Sequence, residues 1–156
     1  MEGPRRHRRP ARVRETPQAR YAPEAAPPAV AGVLLDTDVI IEVLRGRRRI
    51  AEAILGLEAA GVRTYACAVS WAEVHAGARP GEEALAQAFL AQRAEVVIDA
   101  DTGRRAGEYL ARYARSHGLE IADAVIAAAA TTSGLALWTQ NRRDYPMPDL
   151  RLYTPP

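Results

Sequence analysis

Residues 33 to 46 are VLLDTDVIIEVLRG. Val33, Leu34 and Leu35 form a short apolar run that stops at Asp36-Thr37-Asp38. A second run, Val39 to Leu44, follows with Glu42 inside it. A short apolar run bounded by polar residues is the pattern of a buried parallel strand, and Val39, Ile40, Val43 and Leu44 fall on one helical face. The stretch predicts a strand, an acidic turn and a helix. In open α/β sheets ligands bind outside the carboxyl ends of the strands, and Asp36 stands at such an end. An Asp just before a helix is also an ordinary N-cap. Asp38 fits that role, which leaves Asp36 as a spare carboxylate. The question for the rest of the chain is whether other acids converge on it.

Downstream, Arg45-Gly46-Arg47-Arg48-Arg49 makes a basic corner. Ile50, Ile54, Leu55 and Leu57 then recur at helical spacing up to Gly61, a C-terminal stop signal. Val62 to Ala68 alternates and is rich in strand formers. Ser70-Trp71-Ala72-Glu73 has the S-x-x-E spacing of a capping box, so Glu73 has a purely structural reading beside a functional one. Pro80-Gly81 breaks the chain before an amphipathic helix over 82–93. Val96 to Ile98 predicts a third strand, and a helix from about Thr102 to His117 follows with Asp101 as N-cap. The segment 118–130, GLEIADAVIAAAA, predicts an Ala-rich core helix carrying Asp123 in its first turn, with Glu120 as a first-turn acid near solvent. There the helix dipole favours a carboxylate, while burial penalises it unless it is paired or held by a metal. The last strand, Leu135 to Trp138, runs into Thr139-Gln140-Asn141-Arg142-Arg143-Asp144-Tyr145. Leu150 to Tyr153 is a candidate edge strand. The element order is β-α-α-β-α-α-β-α-α-β, an α/β domain with a mostly parallel sheet flanked by helices.

Composition bounds the chemistry. The 156 residues suffice for one domain with a real core, which we place at 33–156. Residues 1–32 hold six prolines and seven Arg against three Glu, a net of +4. They have too little apolar surface to offset ordering entropy and are expected to be a disordered extension: either the result of a translation start placed upstream of a domain that begins near Val33, and so dispensable, or a basic arm that touches a phosphate backbone. Residues 33–156 hold fourteen Arg against sixteen Asp and Glu, a net of −2, so nucleic acid would have to be held by local Arg clusters rather than by overall charge. Arg142 and Arg143, on the loop at the acidic end, are the stronger candidates. Arg45 and the basic corner that follows it are the second. No apolar run is long enough to span a bilayer, and no apolar stretch follows the N-terminal arginines as in a secretory signal. The single Cys67 cannot staple the fold and is expected to be a small buried hydrophobe in a cytoplasmic protein. His75 and His117 lack ligand spacing and are expected on the surface or in packing.

Acids therefore follow strands or open the next helix at Asp36, Glu73 and Asp123, with Asn141 and Asp144 behind the fourth strand. Carboxylates gathered without His, Cys or Lys suit a hard cation, Mg²⁺ or Mn²⁺. Such an ion activates water and stabilises charge at a phosphodiester.

LLDTDVIIEVLRG, SWAEVHAGA, IADAVIAAAA and LWTQNRRDYP, in this order and spacing, resemble PIN-domain proteins of the VapC type-II toxin group over about residues 33 to 146. The resemblance implies a magnesium-dependent endoribonuclease, a homodimer and a cognate antitoxin that blocks the site. It implies Asp36 and Asp123 as the principal metal ligands and Glu73 as a further site acid. The fourth position falls to Asn141 or the nearby Asp144. One competing reading is a phosphohydrolase of haloacid-dehalogenase type, whose opening D-x-D is imitated by Asp36 and Asp38. That type also uses a Lys, and the chain has none: all 21 of its Lys and Arg positions are Arg. The same lack argues against a receiver domain. The other competing reading is a PIN-like domain that binds RNA or a partner without cutting.

Overall fold

The structure, a computed structural model, describes residues 30–156. The expected disordered arm lies, but for its last three residues, outside the described residues. Four strands, β1 (Val33–Leu35), β2 (Thr64–Cys67), β3 (Ala94–Val96) and β4 (Ala136–Trp138), pair in the order β3-β2-β1-β4. Every pairing is parallel. Six helices connect them: α1 (Thr37–Leu44), α2 (Arg48–Ala59), α3 (Ala68–Gly77), α4 (Glu83–Ala91), α5 (Ala100–His117) and α6 (Ile121–Thr132). A single 3₁₀ turn, Arg142–Asp144, follows β4. This is the α/β architecture expected from the sequence.

Side chains alternate across a strand, and β1 divides the core accordingly. Leu34 packs with Cys67, Leu137 and the helices α5 and α6 on one face. Val33 and Leu35 pack with Val39, Ile40, Ile54, Val74 and Leu90 from α1 to α4 on the other. The alanine run works as expected: Ala127 to Ala130 are fully buried, and such small side chains let a helix lie close to its neighbours. Cys67 is buried and free. His75 stacks on Trp71, and His117 meets Tyr113 edge-on. Gly118 takes a left-handed φ of 68° and ends α5. That turn lets Leu119 and Glu120 lead into α6, with exposed Glu120 at its N-cap position.

Three local expectations are corrected. β3 lies at 94–96, because Ala94, Glu95 and Val96 pair with Tyr65, Ala66 and Cys67, which leaves Val97 exposed. The cap of α5 is Asp99, whose side chain accepts from the Thr102 amide at 2.9 Å; Asp101 instead pairs with Arg104 in the first turn. The edge strand at 150–153 reduces to one parallel bridge from Leu152 to Leu137, closed by two backbone hydrogen bonds of 2.8 Å. Among the described residues no helix is long and apolar enough to cross a membrane.

Candidate active site

With the order β3-β2-β1-β4, the chain moves one way from β1 to β3 and then returns to the far side of β1. The strand order reverses between β1 and β4, and the crevice at such a switch point is where open α/β sheets bind ligands. The two strand ends meet closely there. The Asp36 amide donates to the Trp138 carbonyl at 2.9 Å, just beyond the Leu35–Trp138 pair.

Asp36 is only 5% exposed. Its Oδ1 accepts from the Thr37 amide at 2.7 Å, and its Oδ2 accepts from the Tyr145 hydroxyl at 2.8 Å. The same hydroxyl lies 3.4 Å from Asp123 Oδ1. A tyrosine has one O–H proton, and the shorter contact to Asp36 takes it. Two carboxylates from distant parts of the chain thus face one phenol oxygen.

The electrostatics of this pair are unfavourable for charge. Burial pushes the Asp36 carboxyl up to about 6, and the Asp38 charge adds to this against hydrogen bonds from Tyr145, Thr139 and Thr37. Burial and the Asp36 charge push Asp123 up to about 6 as well, with Asp144 and Glu73 contributing in the same direction. Burial and the two neighbouring carboxylates raise the Tyr145 hydroxyl strongly, so it stays a donor. Among the described residues none of Asp36, Asp38, Glu73, Asp123 and Asp144 forms an ion pair with Arg or His. The acids are mutually repulsive.

Asp38 has a different place from the one expected. The N-cap of α1 is Asp36, not Asp38. Asp38 Oδ2 instead accepts from Thr139 Oγ1 at 3.3 Å, the Gln140 amide at 2.9 Å and the Asn141 amide at 3.1 Å. It clamps the loop after β4 to the start of α1. A D-x-D phosphohydrolase would keep Asp38 for chemistry, but here one of its oxygens is taken up by three loop donors.

The structural alternative for Glu73, a capping box with Ser70, does not form. Helix α3 starts at Ala68 with Cys67 as N-cap, so Ser70 lies inside the helix and no capping box forms. Ser70 Oγ contacts Cys67 Sγ instead. Glu73 is exposed, and its Oε2 accepts from the Thr37 hydroxyl at 2.6 Å. Thr37 therefore ties Glu73 to the residue next to Asp36. Asn141 donates its side-chain amide to Asp144 Oδ2, so the two alternatives for the fourth position form one unit rather than competing. The carboxylate of that unit is the member whose charge acts on Asp123.

The arginines are less uniform than expected. Arg142 donates to the Tyr153 carbonyl at 3.0 Å and to Thr154 Oγ1 at 3.2 Å, which fastens the C-terminal segment. Arg143 is exposed and has no hydrogen bond or ion pair among the described residues. Arg45 lies 3.6 Å from Glu42 on the surface.

Sequence reasoning missed two residues. Tyr145 was the end of a polar loop in the sequence, and its only signal was an aromatic directly after Asp144. Asp38 had a better signal, since two aspartates flank one helix start and only one can cap it.

The donor set fits a hard divalent cation. It is all oxygen, it includes two carboxylates whose charge is opposed by burial and by each other, and no cationic side chain among the described residues pairs with it. Among the described residues no three His, Cys, Asp or Glu side chains are gathered into a ready-made cage. Mg²⁺ does not require one, being commonly held by one or two carboxylates with waters and substrate oxygens completing its shell.

The PIN domain family matches residues 33–147. Ribonuclease VapC19 of Mycobacterium tuberculosis is 33% identical over 120 residues, covering 76% of this chain and 96% of that protein. Ribonuclease VapC10 of the same species is 35% identical over 120 residues, covering 74% and 86%. Among solved structures, a toxin–antitoxin complex from Klebsiella pneumoniae matches with a TM-score of 0.64 at 28% identity, over 76% of this chain and 95% of that one. DNA-bound VapBC from Salmonella typhimurium has a TM-score of 0.68 over 78% and 96%, and at 22% identity that likeness concerns the fold alone. The span of the family match and the identity to these relatives carry one conclusion: the chain belongs to the PIN-domain family, in its VapC group.

Proposed function

We propose that the chain is a Mg²⁺-dependent endoribonuclease, with Mn²⁺ as the alternative ion, and that it acts as the toxin of a type-II toxin–antitoxin module. The observation that carries this reading is the pair Asp36–Asp123 facing one Tyr145 hydroxyl, with no basic partner among the described residues. The names of the VapC relatives and the toxin–antitoxin structures support the substrate class and the antitoxin partner.

Asp36 and Asp123 would hold the ion. When bound, it supplies a water of lowered pKa and stabilises the charge that develops on the phosphodiester. Asp36 is presented rigidly, because both of its oxygens are fixed by the Thr37 amide and Tyr145. Glu73 stands on the open side, oriented by the Thr37 hydroxyl, where it takes a proton from the attacking water as general base. The Asn141–Asp144 unit completes the acidic rim. The new bond joins the water oxygen to phosphorus, the ester P–O bond breaks, and the leaving oxygen is protonated from solvent. Exposed Arg143 touches a phosphate nearby, Arg142 braces the loop that carries it, and Arg45 contributes at the far end of α1. The protein works as a homodimer that a cognate antitoxin blocks.

The test is cleavage of a single-stranded RNA with Mg²⁺, with excess EDTA, and with Asp36→Asn. We expect EDTA to abolish cutting and Asp36→Asn to lower the rate by about two orders of magnitude, as when charge stabilisation is lost. Full activity under either condition sinks the proposal.

A further inference from the structure

The basic corner that begins at Arg45 does more than turn the chain. A cleft of about 810 Å³ opens beside it, lined by the corner from Arg47 to Ile50, by the C-terminal Pro155 and Pro156, and by Trp138 and Gln140. The last two residues connect it to the acidic centre. The Trp138 carbonyl accepts the Asp36 amide, and the Gln140 amide donates to Asp38. The cleft and the acids therefore share the carboxyl end of β4.

Two independent features of this cleft ask for a ligand. First, α2 opens with Arg48 and Arg49 after Arg47, it has no acid in its first turn, and Arg47 makes no side-chain cap bond. A helix N-terminus carries positive partial charge and unpartnered amides, so it favours anions there and disfavours cations. Local acids relieve this only in part. Arg47 bonds Glu42 at 2.8 Å, and Arg48 lies 3.6 Å from Glu52 with both side chains well exposed. Arg49 has no ion pair among the described residues. A phosphate would satisfy the helix end and the guanidinium groups together. Second, the buried indole Nε1–H of Trp138, a residue only 1% exposed, has no acceptor among the described residues. The apolar surface of Ile50 beside the arginines adds room for a base or sugar.

We propose that this cleft seats a phosphate of single-stranded RNA that flanks the phosphate being cut. The inference rests on the ribonuclease reading and locates its grip on Arg48 and Arg49. An acidic protein segment is the competing occupant. The presence of three arginines, a helix N-terminus and an unpartnered indole donor, all continuous with the acidic centre, favours the nucleic acid.

The test uses the full chain in EDTA and a labelled 12-nucleotide oligouridylate, with binding followed by fluorescence anisotropy across a KCl series. Arg48→Ala/Arg49→Ala should weaken binding and flatten the log–log salt slope by about 0.7, the value for one lost phosphate contact on a single strand. Arg48→Lys/Arg49→Lys should restore most of the slope, which separates lost charge from lost folding. Arg112→Ala/Arg115→Ala on the outer side of α5 should leave it unchanged. An unchanged slope in the Arg48/Arg49 variant, with a wild type that binds and cuts RNA, overturns the cleft and leaves the ribonuclease reading standing. A polyglutamate peptide that displaces the RNA as well as unlabelled oligouridylate of equal charge overturns it in favour of an acidic protein partner. A wild type that neither binds nor cuts RNA overturns both readings.

Discussion

Replacing Asp36 by Asn should stabilise the metal-free protein at neutral pH while removing its activity. The Asp36 carboxyl moves from an ordinary 3.8 to about 6 on folding. A raised carboxylate means that the native state holds the proton more tightly than the unfolded chain. The associated stability is fully present below about 3.8, falls as pH rises, and is lost once pH passes about 6. At about 1.4 kcal/mol per pH unit that displacement corresponds to roughly 3 kcal/mol of destabilisation at pH 7.5. Asn keeps the shape and, with its one oxygen on the Thr37 amide, the N-cap acceptor; its NH₂ then faces the Tyr145 oxygen and donates to it, so the hydroxyl has to turn toward Asp123. A net gain of about 2 kcal/mol is a fair expectation, or about 6 °C in Tm for a domain of this size. The assay is thermal unfolding of wild type and Asp36→Asn in EDTA from pH 4 to 8. The gap between the two should open between about pH 4 and 6 and stay flat above. Mg²⁺ should then raise the wild type at pH 7.5 and leave the variant nearly unmoved. A variant less stable than wild type at pH 7.5, or a gap that does not change with pH, would refute the reasoning.

Two further substitutions test the neighbours. Glu73→Gln keeps an acceptor for the Thr37 hydroxyl, so stability should change by less than about 0.5 kcal/mol, while RNA cleavage falls about a hundredfold; normal cleavage would return Glu73 to a structural role. Tyr145→Phe removes the hydroxyl that donates to Asp36 beside Asp123 and should cost about 1–2 kcal/mol in EDTA at pH 7.5, a loss that saturating Mg²⁺ reduces. Calorimetry of Mg²⁺ binding and denaturant unfolding with and without the ion read this out, and an equal loss under both conditions would show that the hydroxyl acts only in packing.

The order of elements and the acidic ends of the strands could be read from the chain alone, because their signals are local. Apolar runs of three or four residues, an Ala-rich segment and glycines at helix ends each report their own neighbourhood, and period and punctuation suffice to set β-α-α-β-α-α-β-α-α-β. Asp36 and Asp123 stood out for the same reason, as carboxylates set against apolar stretches. What lay out of reach was every relation between distant segments. Which aspartate caps α1 depends on where β4 ends 100 residues later, since the loop amides of Gln140 and Asn141 draw Asp38 away from the helix. Whether Ser70 and Glu73 form a capping box depends on where α3 begins, and the sheet sets that by ending β2 at Cys67. The meeting of Tyr145 with Asp36 and Asp123, and of the basic corner with Trp138 and Gln140, follows from β4 returning beside β1. Parallel pairing across so long a connection leaves no trace in local sequence, so only the tertiary structure could decide which polar groups face one another.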